Sequence, residues 1–557
     1  MAGMDSTPLH PYPGEQANSF TESILENSPS EAEPPLPVDA PGVRFSWRTF
    51  FAFAGPGWLM SLAYLDPGNL ESDLQQGAYT NYSILWILLL AHILGLILQT
   101  MAARLGAVTN KDLAETCRER YGPTTSRILF VMTYIAIIGA DIQEVVGSGL
   151  AMKVLFGIPL WVGCLITGCD TFTFMLVHYF GSRFLELLIF VLVLIMCVCF
   201  VGNFAHSPPP AGDLLYGTFV PTIPDAYVIS PMVATIGAVI MPHNLYLHSS
   251  LVKSRTLDRS SSENLRQANK YFFADSTLAL SFSFFINLCL VSVFATGFFS
   301  KDCAKLDTGA GSTSYACLPL TEVPSGGGSG SCQYGPEQAT GQCYDVGLET
   351  AAAALGGLFP HTQLPKILFA LGVLAAGQAS TMTGTFAGQY VFQGFVKLRL
   401  KIWQQTLLTR SVALVPAMIV AVIDASSPSV ANSLGNWLNT LQSIQLPFAL
   451  LPLLHFTSMP EVMGRFSNQW GYQVICWSVA VLLLGINVYL MVSFVQSLDA
   501  GALGWVIFAI LGFGYLALVV TIIKRDLYQF YCFITCKKRA LRASEMDKPA
   551  LQMRASG

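Results

Sequence analysis

Apolar stretches close to ~20 residues long recur along almost the whole chain, and that spacing leaves few folds open. In hydrocarbon every backbone N–H and C=O must find its partner within the protein, so such stretches read as membrane-spanning helices. Twelve candidates lie near 50–76, 83–107, 126–152, 158–178, 184–204, 230–252, 271–299, 362–395, 407–424, 434–457, 471–497 and 501–523. The third, seventh and eighth are the least purely apolar. Only 11% of residues are charged, against roughly 25% in soluble domains. The mean hydropathy is +0.52. A soluble protein of 557 residues would divide into three or four domains, and the apolar runs overrule that. The expected class is an all-α integral membrane protein.

The ends and loops give an orientation. Residues 1–45 are polar and rich in Pro, Ser and Glu, with no apolar core of a cleavable signal. They read as a disordered cytosolic tail, and the first span as an uncleaved signal-anchor. With the N-terminus inside, the cytosolic loops hold Lys111, Arg118, Arg120, Lys253, Arg255, Arg259, Lys397 and Lys401 among others, and the 524–557 tail adds Lys524, Arg525 and Lys537. The outer side keeps only Lys153, Lys301, Lys305 and Lys366. That skew supports an even number of spans with both termini cytosolic. The loop at 300–361 then lies outside, in an oxidising compartment. Its Cys303, Cys317, Cys332 and Cys343 suggest two disulfides in one of three pairings. The outer sequon Asn81-Tyr82-Ser83 sits too near the membrane for ready glycosylation. Cys532 and Cys536, past the last span, are candidates for palmitoylation or plain structural thiols.

Two spans cannot be continuous helices. The first carries Asp66-Pro67-Gly68-Asn69 at its middle and the sixth carries Met241-Pro242-His243-Asn244. Proline removes a backbone donor and clashes with the preceding turn. The two breaks begin successive five-helix units, 46–229 and 230–457. Five is odd, so the second unit enters the membrane from the opposite side: an inverted repeat, with spans eleven and twelve, 458–523, as peripheral helices. Breaks in matching positions free carbonyls near the midplane, where a cation can use them.

The residues at the breaks suggest which cation. Asp66 supplies an anionic oxygen, expensive at this depth unless it holds a proton or a metal. Asn69 adds an amide oxygen, and Met241 a thioether. Pro242 leaves a carbonyl one turn back, near Ala238, without its donor. Oxygens with one sulfur suit borderline transition metals better than Ca²⁺ or Mg²⁺, which prefer all-oxygen shells. An empty Asp66 can hold a proton that metal expels. Asp141 and Glu144, one turn apart on the third span, share a face. His243, His248 and Arg410 are further ionisable groups at or near spans. Asp170, Glu186 and Asp275 read as structural or interfacial, whereas Glu71 and Asp73, on the outer half of the first span, would line an approach for cations.

Asp66-Pro67-Gly68-Asn69 and Met241-Pro242-His243-Asn244 resemble the paired signatures of the Nramp family of divalent metal–proton symporters. The stretches GVLAAGQASTMTGTFAGQYVFQGF at 372–395 and QSIQLPFALLPLLHFTS at 442–458 resemble its eighth- and tenth-helix signatures. The resemblance runs from about Trp47 to the end of the eleventh span. It implies a leucine-transporter-like fold of ten core helices with one or two peripheral ones. It implies Asp66, Asn69, Met241 and the Ala238 carbonyl as metal ligands, with Asn439 of the tenth helix, by position, completing the shell in an occluded state. It also implies a proton route from the metal site through Asp141 and Glu144 towards Arg410, with His243 tuning the site and His248 nearer the cytosolic end.

The function expected is proton-coupled symport of Fe²⁺/Mn²⁺ into the cytosol, at the plasma membrane or an acidic endosomal or vacuolar membrane. The partners expected are divalent metal ions, protons and the lipid bilayer, with no nucleic acid and no resident cofactor. A membrane-embedded enzyme lacks support from any HExxH, GxSxG or P-loop pattern. A metal receptor would need larger tails. A sodium–amino acid carrier would present helix N-termini to its substrate carboxylate, which a fixed Asp66 would repel.

Overall fold

Why each predicted stretch is helical follows from its apolar content, and where each helix stops follows from proline, glycine or a polar cap. The computed structural model describes residues 36–37, 39, 45–179, 182–304, 315–320, 329–335, 338–359, 361–396, 402–424, 429–497, 501, 505–506 and 508–524. The tails at 1–35 and 525–557, with Cys532 and Cys536, lie outside the described residues. The first predicted span is three pieces: α1 Trp47–Phe53, α2 Pro56–Leu62 and α3 Pro67–Thr80. There follow α4 Leu85–Thr109, α5 Leu113–Arg120, α6 Pro123–Phe156, α7 Leu160–Tyr179, α8 Ser182–His206 and α9 Ala211–Phe219. The sixth span is again two pieces, α10 Ile229–Val239 and α11 Pro242–Lys253. Then comes α12 Ser262–Phe298. Three short strands, β1 Ala316–Pro319, β2 Ser329–Tyr334 and β3 Ala339–Tyr344, precede α13 Leu348–Leu358. The rest is α14 Leu364–Phe395, α15 Ile402–Asp424, α16 Ser429–Gln445, α17 Pro447–Ser458, α18 Trp470–Ser497 and α19 Phe508–Lys524.

Among the described residues, six helices are long and apolar enough to cross a membrane by themselves. Outward faces are apolar: Phe190, Leu194 and Val198 make an exposed stripe on α8, one of the six, and Val415, Ile419 and Val422 another on the shorter apolar α15. The polar residues turn inward, with Asn287, Gln442, Ser249 and Thr381 fully buried. An apolar skin over a polar interior is the reverse of a soluble bundle and fits a hydrocarbon solvent.

The broken helices exchange partners. Both α2 and α3 lie along α12, while α10 and α11 lie along α4. Each broken span thus packs on the helix that follows the other break, as an inverted repeat requires. At the centre α6 packs along α14, where small residues allow close approach. A Cβ on Gly377 would collide with the Ser148 hydroxyl.

Three features went unread in the sequence. The tenth predicted span is divided at Leu446, because Pro447 starts a new helix. The dihedrals at Leu446 remain helical, so this is a kink rather than a break. A short helix, α5, caps the end opposite the cysteine loop. Asp112 caps α5 and pairs with Lys253 at the end of α11, 3.2 Å away, and Glu115 pairs with the same lysine at 2.6 Å. Burial, with Glu115 beside it, lifts the Asp112 carboxyl to about 6. The loop at 300–361, Gly/Ser-rich in sequence, contains an antiparallel sheet in the order β1-β3-β2.

Of the three possible pairings, the structure has Cys303–Cys343 and Cys317–Cys332. Cys317 and Cys343 face each other in register across β1 and β3, so both bridges cluster on one small sheet that has little other core. Peptide mapping without reductant should recover those two linked pairs; any other pairing, or four free thiols, would contradict this arrangement.

Candidate metal centre

The first break begins at Ala63, where α2 ends, and closes at Asp66, the cap of α3. The Asp66 carboxylate accepts from the Gly68 and Asn69 backbone N–H groups, both at 3.2 Å. Such a cap is worth about 1 kcal/mol, and it points the charge into the break. The Asn69 amide nitrogen donates to Asp66 Oδ1 and, at 3.3 Å, to the Ala63 carbonyl. Its own oxygen, Oδ1, is buried without a partner. An amide pinned by its nitrogen with a free oxygen is set to accept from something else, and a cation fits.

The second break leaves Ile240 and Met241 between α10 and α11. Met241 occupies the cap position, where a thioether cannot take the backbone bonds that Asp66 takes. Met241 and Ala238 are both buried. The Ala238 carbonyl would normally accept from residue 242, which is Pro242 and has no N–H. In the first turn of α11, His243 Nδ1 and both amide atoms of Asn244 are buried without partners.

Asn439, on α16, closes this region from the side. Its Nδ2 donates to the Gly68 carbonyl at 3.3 Å and its Oδ1 accepts from Gln143 Nε2 at 2.8 Å. Gln143 in turn accepts from Gln442. Gly68 is small by necessity, because a Cβ there would lie 2.8 Å from Gln143 Oε1 and 3.0 Å from Asn439 Oδ1. Gln143 and Gln442 were missed from the sequence. The available signal was their polarity within spans, and Gln143 lay unremarked between the two residues singled out beside it.

The expected proton residues form a second group. Arg410 Nη1 lies 2.9 Å from Asp141 and 3.6 Å from Glu144. The guanidinium also donates to the Thr381 carbonyl and to the Thr385 hydroxyl. Arg410 is 6% exposed, so it is a buried ion-pair partner and not a surface snorkel. Gly384 of α14 sits against this group, and a Cβ there would come within 2.7 Å of Asp141 Oδ1 and 3.1 Å of Glu144 Oε2.

His248 stands apart, with Nδ1 2.9 Å from Gln99 Oε1 and Nε2 unpartnered. Gln99 also donates to the Tyr64 hydroxyl at 3.4 Å, and Tyr64 is part of the first break. Glu71 and Asp73 are buried in this structure, and Glu71 packs against Gly435. Asp275 accepts from the Gly57 N–H at 2.7 Å, as a structural residue would, and Asp170 is half-buried. The Glu186 side chain lies outside the described residues.

Inward-turned polar residues, an apolar skin and cation donors gathered at two helix breaks define a membrane carrier for metal ions. The natural resistance-associated macrophage protein-like family profile matches residues 57–493, and the chain belongs to that family, Nramp. It is 40% identical over 522 residues to metal transporter Nramp4 of Arabidopsis thaliana, covering 92% of this chain and 93% of that one. It is 41% identical over 514 residues to natural resistance-associated macrophage protein 2 of Mus musculus, covering 90% and 87%. Among solved structures, a mutant of the Eremococcus coleocola manganese transporter superposes with a TM-score of 0.72 at 28% identity, covering 88% of this chain and 98% of that one. The fold is the leucine-transporter-like one that the resemblance implied. The chain is a multi-pass membrane metal transporter and not an enzyme.

Gly384→Ala should crowd the Asp141–Arg410 pair and lower stability by about 1–3 kcal/mol, read as a drop in melting temperature. Gly388→Ala, one turn on with no neighbour nearer than 3.8 Å, should be close to neutral. Equal effects would count against the close contact at Gly384.

Proposed function

We propose that the chain carries Fe²⁺ or Mn²⁺ into the cytosol in symport with protons, by alternating access of the 46–229 and 230–457 repeats around the two breaks. The observation that supports this best is the donor set. Asp66 and Asn69, with its unpartnered oxygen, lie at the first break, and the donorless Ala238 carbonyl and the Met241 thioether lie at the second. Asn439, held on Gly68, is the proposed fifth donor when the site closes. The Eremococcus coleocola relative is a manganese transporter, which favours Mn²⁺ among the substrates.

In this reading the chain's own groups do three things. Asp66 exchanges a proton for a metal ion, since both compete for the same buried oxygens. Met241 selects, because sulfur favours borderline transition metals and is a poor ligand for hard ions. Asp141, Glu144 and Arg410 receive or relay the proton, with His243 next to the metal and His248 further along α11. Both termini lie in the cytosol and α18 and α19 are peripheral. The membrane is the plasma membrane or that of an acidic organelle, where a proton gradient would drive import.

The test is uptake by proteoliposomes across a panel of divalent ions, with internal pH recorded. Fe²⁺ or Mn²⁺ should acidify the lumen as it enters; metal uptake with no proton movement would remove the symport claim. Met241→Ala should retain Mn²⁺ transport and admit Ca²⁺ or Mg²⁺, and continued exclusion of both would sink the role given to sulfur. Asp141→Asn should reduce proton flux more than metal flux, by about tenfold in their ratio if one relay step is lost. An equal loss of both would mark Asp141 as purely structural.

A further inference from the structure

Leu36 and Asp39 lie upstream of the first helix, and both are tied to the bundle. The Leu36 N–H donates to the Thr256 carbonyl, between α11 and α12, at 2.9 Å. The Asp39 N–H donates to Gln267 Oε1 of α12 at 3.0 Å. One carboxylate oxygen of Asp39 accepts from the Tyr271 hydroxyl of α12, and the other accepts from the Thr49 hydroxyl of α1 at 2.5 Å. The Tyr271 oxygen itself accepts from the N–H of Ser46, the cap of α1, at 2.8 Å. A single carboxylate thus joins α1 to α12, and charge-assisted bonds of this kind are about twice as strong as neutral ones.

These bonds place α1. Its Phe50 and Phe53 are buried in a cluster with Ala103 and Ala107 of α4, Val252 of α11, and Ala268, Tyr271 and Phe272 of α12. Phe53 stacks on Tyr271 with ring centroids 5.4 Å apart. All these residues lie near the ends of their helices opposite the disulfides, so α1 closes over that end of the bundle. Beyond Ala54 and Gly55 the chain continues as α2. α2 has seven residues, with a bend before it and the break after it. A helix that short has no ladder of its own sufficient to hold it. It is kept on α12 by the Gly57–Asp275 and Ser61–Ser283 bonds and by its continuity with α1.

We propose that Asp39 is the pin of an inner clasp: with Tyr271 and Thr49 it holds α1, and through α1 the half-helix α2, over the cytosolic mouth of the ion path, and it must let go before an ion can leave. It rests on the transport reading given above, in which this end faces the cytosol. The clasp lies at the mouth and touches none of the metal donors. Loosening it therefore changes how often the mouth opens and not which ion the site selects.

Hydrogen–deuterium exchange on the full-length protein in detergent, paired with Mn²⁺ uptake by proteoliposomes, tests this. Asp39→Ala should raise exchange across α2 by about tenfold and leave α3 and α6 at wild-type rates. Tyr271→Phe, which keeps the ring stacked on Phe53, should do the same. Together the two should do less than the sum of their separate effects, because they break one shared interaction. The KM for Mn²⁺ should rise about fivefold with Vmax kept, since fewer carriers wait with the inner mouth shut. Discrimination against Ca²⁺ should stay as in wild type, and Asp39→Glu should restore most of the wild-type KM. Wild-type exchange at α2, or an unmoved KM, in Asp39→Ala would reduce Asp39 to a local anchor and overturn the clasp. Altered Ca²⁺ discrimination would overturn it too. Absence of any Mn²⁺ uptake by wild type would instead refute the transport reading.

Discussion

Proline has no N–H to give, and inside a membrane there is no water to take the carbonyl it abandons. Pro67 and Pro242 each sit at the start of a half-helix, α3 and α11, within a span whose other half ends a few residues earlier. The carbonyls before them must find other partners. Some do so within the protein: Asn69 serves Ala63, and Asn287 serves Tyr64. The C-terminal ends of α2 and α10 turn negative dipole ends into their own breaks. The opposing N-termini of α3 and α11 bring partial positive charge. Asp66 answers that on α3, and nothing in Met241 answers it on α11. Once Asp66 gives up its proton, these electron-rich ends favour a cation and disfavour an anion.

The architecture around the breaks exists to tolerate them. A broken helix is weak by itself, because its interruption forfeits the cooperative ladder that makes helices stable. Here each is splinted by an unbroken helix, α2 and α3 by α12, and α10 and α11 by α4. In the proposed cycle, the exchange of splints between the repeats would let one break move against its partner's scaffold. At the disulfide-bearing end, the Tyr79 hydroxyl donates to Asp345 at 2.5 Å and Gln75 donates to the Val346 carbonyl at 3.0 Å, tying α3 to the segment that leads from the cystine sheet into α13. At the other end, Lys253 ties α11 to α5. Each of these two half-helices is thus tied to a loop element at its own end of the bundle.

Much of this was legible in the sequence, and the reasons are physical. Hydrocarbon imposes a length and an apolar composition on every span, so positions along the chain could be read with small errors. Proline in mid-span breaks a helix whatever its neighbours are, so Asp66 and Met241 could be placed before any coordinates. What escaped depends on contacts distant in sequence. Gln143 belongs with Gly68 and Asn439 only because α3, α6 and α16 meet there. Asn287 and Gln99 likewise meet the first break only through tertiary packing. The sheet at 300–361 was not read from a Gly/Ser-rich stretch, and the two cystines staple it. A connectivity among four cysteines is a tertiary fact that spacing alone leaves undecided.

The two ionisable groups are kept apart by the same helix that joins them. On α6, Asp141 and Glu144 lie on one face and meet Arg410, while Gln143 points to the opposite side and meets Asn439 and the first turn of α3. A rigid helix with a metal-side amide on one face and an ion pair on the other has no need of a continuous chain of hydrogen bonds to make the two interdependent. Any change in the closure of Asn439 over Gly68 pulls on Gln143 and so on the rotation and height of α6. Arg410 then holds Asp141 and Glu144 in a different balance, since a Coulomb energy between buried charges changes steeply over fractions of an ångström. The small residues of α14 opposite, Gly377 and Gly384, leave no slack to absorb such a shift. In the proposed cycle this makes proton affinity a mechanical consequence of metal occupancy, and it places the coupling in the packing of α6 against α14 and not in a wire between the sites.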